Sequence, residues 1–240
     1  MQKLPIVALD FASKNEVEHF LELFNEEKLY TKIGMELFYQ EGPRIVESVI
    51  ASGHEVFLDL KLHDIPQTVY QAMKGLGKLG VSMTNLHAAG GKEMMSAGLE
   101  GLKEGAVISG KKAPHLIAVT QLTSMTEKRM QEDLLVAVSL ENTVLHYAKN
   151  AFESGLDGVV CSSLEATMLQ EVLGNEFKKV TPGIRLKGDS KNDQKRIVTP
   201  AEARQLGATE IVVGRSITRA DDPVKAYQLV LQQWQGVEME

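Results

Sequence analysis

The stretch Val56-Phe57-Leu58-Asp59-Leu60-Lys61-Leu62-His63-Asp64-Ile65-Pro66 reads as a buried strand running into a turn. Period-2 geometry puts Asp59 and Lys61 on one face. Asp64 follows where the strand should end, just before Pro66. Unpaired buried charges are very costly. Such a strand therefore carries either a salt bridge or a reaction. A helical pattern over 67–79 comes next, so the stretch opens one strand-helix unit.

The same unit recurs on both sides. Short apolar runs predict strands at 5–10, 30–35, 55–61, 83–88, 115–121, 157–162, 178–183 and 210–214. Amphipathic stretches predict helices near 14–26, 37–52, 67–79, 91–104, 142–154, 163–173, 200–206 and 223–234. Ser13 with Glu16 has the spacing of a capping box, and Thr199-Pro200-Ala201-Glu202 pairs a cap with Pro in the first turn. Eight units in 240 residues are near the minimum for a closed (β/α)8 (TIM) barrel. A doubly wound open sheet competes, but no unit is missing. Nor does a glycine fingerprint follow the first strand, where Asp10-Phe11-Ala12-Ser13 stands. No linker, low-complexity tract or longer repeat interrupts the pattern, and we read one barrel domain over 1–240.

Hydrophobic residues make up 43% of the chain, enough for a full core, and the net charge of -6 predicts no general attraction to nucleic acid. An anionic ligand would need a local cluster of cations. Cys161 is the single cysteine, which fits a reducing cytosol, and it reads as a small core residue. The apolar run at the N-terminus is too short for a signal-peptide core, and no window approaches a membrane span. A soluble, cytoplasmic protein is expected.

In a barrel of this kind, function belongs at the C-terminal ends of the strands. The polar residues predicted there are Asp10, Lys32, the group Asp59, Lys61 and Asp64, then Asn85, His87, Gln121, Thr123, Arg185 and the turn Gly214-Arg215-Ser216. Lys32, Asp59, Lys61 and Asp64 can alternate in sign around one point. At ~4 Å and an effective dielectric of about 20, each neighbouring pair is worth roughly 4 kcal/mol. The bland alternative is a structural ion-pair network. A divalent-metal site of Asp59 and Asp64 is opposed by Lys61 and Lys32. The loops after strands seven and eight are the usual phosphate site of the fold. There Gly214-Arg215-Ser216 offers backbone N–H groups and a guanidinium, and the polar loop from Arg185 to Gln194 suits a closing lid. His63 and His87 are as readily structural as functional. His19, His54, His115 and His146 lack metal-ligand spacing and read as surface or satisfied core residues.

Asp59-Leu60-Lys61-Leu62-His63-Asp64-Ile65-Pro66 closely resembles the signature of the orotidine 5′-phosphate decarboxylases. The resemblance spans the chain. It includes Ala8-Leu9-Asp10, Lys32-Ile33-Gly34-Met35-Glu36-Leu37-Phe38, Leu122-Thr123-Ser124, Thr181-Pro182-Gly183-Ile184-Arg185 and Val213-Gly214-Arg215-Ser216. Gln67 departs from the Asn common in that motif. The length is like the bacterial monofunctional form. The resemblance implies decarboxylation of orotidine 5′-phosphate to uridine 5′-phosphate, without metal or organic cofactor, in a homodimer. By position it implies Lys61 as proton donor to C6, Asp59 beside the leaving carboxylate and Lys32 flanking. It implies Asp64 and Thr68 reaching the neighbouring subunit's site. Asp10 and Lys32 would bind ribose hydroxyls, Thr123 the pyrimidine, and Arg185, Gln194, Gly214 and Arg215 the phosphate. The alternatives are a magnesium-dependent sugar-phosphate decarboxylase or aldolase on the same barrel, and a nucleotide-binding protein without catalysis.

Overall fold

The structure is a computed structural model that describes residues 4–25, 27–187 and 198–237. All eight expected strands form: β1 (Ile6–Ala8), β2 (Tyr30–Gly34), β3 (Glu55–Leu62), β4 (Met83–His87), β5 (His115–Val119), β6 (Gly158–Val160), β7 (Lys178–Thr181) and β8 (Glu210–Val213). They pair in parallel in chain order, and β8 closes on β1. Around this barrel lie α1 (Lys14–Glu22), α2 (Met35–Glu41), α3 (Pro43–Ala51), α4 (Pro66–Gly77), α5 (Gly91–Ser109), α6 (Glu127–Asp133), α7 (Leu140–Glu153), α8 (Ser163–Leu173), α9 (Pro200–Gln205), α10 (Arg215–Thr218) and α11 (Pro223–Gln235). Among the described residues no helix is long and apolar enough to cross a membrane.

The helices depart from expectation in three places. The helix predicted over 37–52 is two helices, because Gly42 takes φ 68° and Pro43 starts afresh at the first turn of α3. Helix α6 was not expected: only Met130 in it is buried, so it carries no apolar stripe. Its start is set by Thr126, whose hydroxyl accepts from the Arg129 N–H at 3.3 Å. Helix α10 has four residues, too few to show a period. The box at Thr199 and Glu202 forms completely. At Ser13 only half does: its Oγ accepts from the Glu16 N–H at 3.4 Å, but it then donates to Glu16 Oε1 at 3.2 Å.

Ile6, Ala8, Phe57, Met83, Ile117, Val180 and Val212 form an apolar plug inside the barrel. One outer core, including Leu58, Leu60, Tyr227 and Trp234, packs on the β1–β3 side. A second, with Leu86, Leu116, Val159 and the fully buried Cys161, packs on the other. Helices α4 and α5 touch along glycines. A Cβ on Gly101 would stand 2.1 Å from the Tyr70 carbonyl oxygen, and one on Gly105 2.0 Å from that of Lys74. This contact fixes α4, whose first turn follows directly from the charged end of β3.

Candidate active site

The site sits one layer above the apolar plug. Alternation along each strand leads from Phe57 to Asp59, from Tyr30 to Lys32, from Met83 to Asn85 and from Ala8 to Asp10. Lys32 lies level with Ala8 on β1 and Phe57 on β3, so these strands bring their polar ends together. Lys32 Nζ lies 3.1 Å from Asp10 Oδ1 and 3.6 Å from Asp59 Oδ2, and Lys61 Nζ lies 2.6 Å from Asp59 Oδ1. The result is a chain of alternating sign, Asp10–Lys32–Asp59–Lys61. Gly214, at the end of β8, closes on it, since a Cβ there would be 3.7 Å from Asp10 Oδ2.

Within one chain the expected place of Asp64 in this array is taken by Asp10. Asp64 is exposed, and its Oδ1 accepts from the Ile65 N–H at 2.7 Å. Thr68 is exposed on the first turn of α4, beside Ile65, which is 67% exposed. Neither residue joins the ionic chain of its own barrel.

Asp59 and Lys61 meet, but not through a regular strand. On β3 and β4 the register runs Leu58↔Thr84 and then Leu62↔Leu86, so Asp59, Leu60 and Lys61 stand opposite Asn85 alone. Lys61 takes φ 52°, the left-handed region. For a residue with a Cβ that costs roughly 1–2 kcal/mol. The bulge removes ladder partners, and side chains of β4 replace them. Asn85 Oδ1 accepts from the Lys61 N–H at 2.8 Å, and Asn85 Nδ2 donates to Asp59 Oδ1 at 2.7 Å. Thr84 Oγ1 donates to the Leu58 carbonyl at 2.9 Å.

Burial pushes the Asp59 carboxyl up, but the Lys32 and Lys61 ammoniums and the hydrogen bonds from Lys61 and Asn85 outweigh it, so its pKa lies below the ordinary carboxylate value. The acid stays ionised between two cations. His87 lies beside the site with its ring 5.5 Å from that of His63. Burial, then the neighbouring His63 and Lys61, push its pKa down against the pull of Asp59. The two rings form a pair at the mouth; neither is placed as an ion partner in the chain of charges. Of the remaining histidines, His54 Nδ1 accepts from the Leu29 N–H at 3.1 Å, and His115 pairs with Asp157 at 3.0 Å. Among the described residues no three His, Cys, Asp or Glu side chains are grouped to hold a metal ion.

The residues expected at the phosphate end follow β7 and β8. Arg185 is buried, its N–H donates to the Val198 carbonyl at 3.1 Å, and its Nη1 donates to the Ile184 carbonyl at 2.9 Å. Arg215 opens α10 directly after Gly214, whose carbonyl accepts from the Ile217 N–H at 2.8 Å. Thr123 is half-buried in the turn after β5, where the Met125 N–H donates to the Leu122 carbonyl at 2.8 Å. Gln194 and most of the polar loop it belongs to lie outside the described residues. The residue given no role from sequence is Asn85. The signal for it was present: an amide side chain within a predicted strand, two residues beyond the inward-facing Met83.

A closed parallel barrel with an ionic chain at the C-terminal ends of its strands places the protein among the (β/α)8-barrel enzymes. The model of the "Orotidine 5′-phosphate decarboxylase / HUMPS family" matches residues 3–230, and the chain belongs to that family. It is 58% identical over 237 residues to the orotidine 5′-phosphate decarboxylase of Bacillus cytotoxicus, covering 99% of each chain. It is 57% identical over the same length and share to that of Bacillus mycoides. Among solved structures it is similar to orotidine 5′-phosphate decarboxylase from Lactobacillus acidophilus, with a TM-score of 0.87 and 39% identity over 97% of this chain and 99% of the other. It is also similar to an uncharacterized conserved protein from Geobacillus kaustophilus, with a TM-score of 0.85 and 52% identity over 95% and 99%.

Proposed function

We propose that this chain decarboxylates orotidine 5′-phosphate to uridine 5′-phosphate and CO2, with Lys61 as proton donor. The observation that carries this reading is the Asp10–Lys32–Asp59–Lys61 chain at the barrel mouth, in a family named for the reaction. Breaking the bond from C6 to the carboxylate releases CO2 and leaves the electron pair on C6. A fixed ammonium stabilises that charge as it develops and then supplies the proton to C6, and water restores it to the amine afterwards. Asp59, held ionised, stands beside the substrate carboxylate and fixes the ammonium.

The remaining roles follow the same reading. Asp10 and Lys32 meet the ribose hydroxyls, Thr123 meets the pyrimidine, and Arg185, Gln194, Gly214 and Arg215 hold the phosphate. Phosphate binding energy, far from the breaking bond, is spent at the reacting centre. The exposure of Asp64 and Thr68 in a single chain leaves them available to enter the site of a second copy in a homodimer. We propose one barrel domain acting in the cytoplasm.

The test is turnover of orotidine 5′-phosphate by purified protein in EDTA. Uridine 5′-phosphate should accumulate; folded protein that leaves the substrate intact sinks the reading. Turnover only of a sugar phosphate, and only with added magnesium, would favour the alternative. The two ammoniums within 3.6 Å of Asp59 make that carboxylate a poor cation ligand.

A further inference from the structure

We infer that Asn85 is the positioning residue that sets the Asp59–Lys61 pair, acting through those two groups rather than on substrate. The inference rests on the decarboxylase reading for its consequence and on backbone geometry for its substance. Asn85 is fully buried, and both ends of its carboxamide are used. Its oxygen takes the backbone N–H of Lys61, which lies within the register break between β3 and β4. Its nitrogen grips the same Asp59 oxygen that receives the Lys61 ammonium. One rigid side chain therefore ties the backbone of the cation to the carboxylate of its partner.

The chemistry selects this residue type. The site needs an acceptor and a donor on one short stem, aimed at atoms of residues 59 and 61. A hydroxyl is too short to span both. A carboxylate would keep the acceptor but lose the donor, placing a second negative charge 2.7 Å from Asp59. The charged and titratable groups around this position are Asp59 and Lys61 on β3, Lys32 on β2 and the histidine His87 on its own strand.

Asn85→Ala, Asn85→Asp and the control Thr31→Val test the inference. Thr31 is buried, its Oγ1 donates to the Glu55 carbonyl at 2.9 Å, and alternation along β2 puts its side chain on the face opposite Lys32. We expect Asn85→Ala to lower kcat roughly a hundredfold, as a misplaced catalytic group does, with KM changed less than about threefold. Thr31→Val should keep kcat within about threefold for a similar loss of melting temperature. In Asn85→Asp the introduced acid and Asp59 share one proton, so one of them titrates well above the ordinary range. While that proton is held, the O–H of the introduced carboxyl donates to Asp59 as the amide did. Activity should therefore fall as pH rises through the new ionisation, a limb the native enzyme lacks.

Hydrogen exchange at the Lys61 amide reads the geometry without any substrate. It should quicken in Asn85→Ala and stay protected in Asn85→Asp, which keeps the acceptor. Wild-type kcat together with unchanged Lys61 exchange in Asn85→Ala overturns the inference, as does a native pH profile in Asn85→Asp. If Asn85→Ala does not fold, the near-isosteric Asn85→Asp decides alone. If the native protein does not turn over the substrate, the functional reading fails, while the exchange measurement still decides the positioning role.

Discussion

Removing the Lys61 side chain tests chemistry and backbone together. In Lys61→Ala the ion pair to Asp59 at 2.6 Å is lost. At an effective dielectric of about 20 that pair has a gross Coulomb energy of about 6 kcal/mol. Much of it is offset by desolvation, and Asp59 keeps Lys32 at 3.6 Å and the Asn85 amide at 2.7 Å. The folded state should therefore survive. Turnover should not. A general acid supplies at least about a hundredfold, and a fixed charge at the developing anion about a hundredfold more. Their product is a loss of about ten-thousandfold, or about 5 kcal/mol of barrier. Binding of uridine 5′-phosphate should change less than about tenfold, because Arg185 and Arg215 are untouched. Lys61→Gly adds a second readout. Alanine at φ 52° keeps the left-handed strain, while glycine relieves it, so Lys61→Gly should be about 1 kcal/mol more stable than Lys61→Ala, with equally low turnover. Stopped assays at high enzyme concentration give the rates, and urea melts give the stabilities. Lys61→Ala with more than about one-hundredth of native turnover would refute the proton-donor role. A glycine variant less stable than the alanine one would refute the strain.

Gly101→Ala should destabilise by about 1–3 kcal/mol, because the new methyl meets the Tyr70 carbonyl and α4 must move; an unchanged urea midpoint refutes the tight contact. Gly75→Ala, in the same helix pair but with nothing near the added methyl, should instead stabilise by about 0.5–1 kcal/mol. Asp59→Asn should cost about 1–3 kcal/mol at pH 7, since it strips Lys61 of its carboxylate while Lys32 keeps Asp10; equal urea midpoints would contradict this. Because the folded pKa of Asp59 is depressed, its contribution is complete above the unfolded carboxylate value of about 4 and is lost as pH falls through the folded value. The acid limb of stability should be shallower in Asp59→Asn. The pKa of His54, whose Nδ1 accepts from the Leu29 N–H, is also depressed, in its case by burial. Its contribution is complete above about pH 6.5 and fades as pH falls from there toward the lower folded value. His54→Ala should flatten that stretch of the stability curve.

The barrel was legible because each strand is a short apolar run and most helices carry a stripe. That signal depends on burial, and it fails where burial is slight. Helix α6 buries Met130 alone, so nothing periodic marks it, and its Thr126 cap is the sole local cue. The break between α2 and α3 was written in Gly42-Pro43, yet the apolar spacing continues across it and hides it. The charged residues were legible because a carboxylate and an ammonium in an apolar strand demand partners. Which partners they take depends on neighbouring strands. Lys32 is bound to Asp10 as well as Asp59, and no spacing within one strand states that.

The spacing of Asp59 and Lys61 led to a correct contact by way of a geometry the protein does not use. In a flat strand, residues two apart lie on one face with parallel side chains. Here β3 holds three residues where β4 holds one, and the chain turns left-handed at Lys61 to rejoin its register at Leu62. A bulge is a property of two strands counted against each other, so neither strand alone reveals it. The direction of the Lys61 side chain is thus set by where its own backbone is tied down, which is Asn85, and by where its ammonium ends, which is Asp59. It follows that the Asp-x-Lys pattern is insufficient for the site. Placed opposite a residue that cannot both accept and donate, the same pattern would return to the ladder or leave the Lys61 N–H buried without a partner. The charges would still be present, but Lys61 would not be held against Asp59.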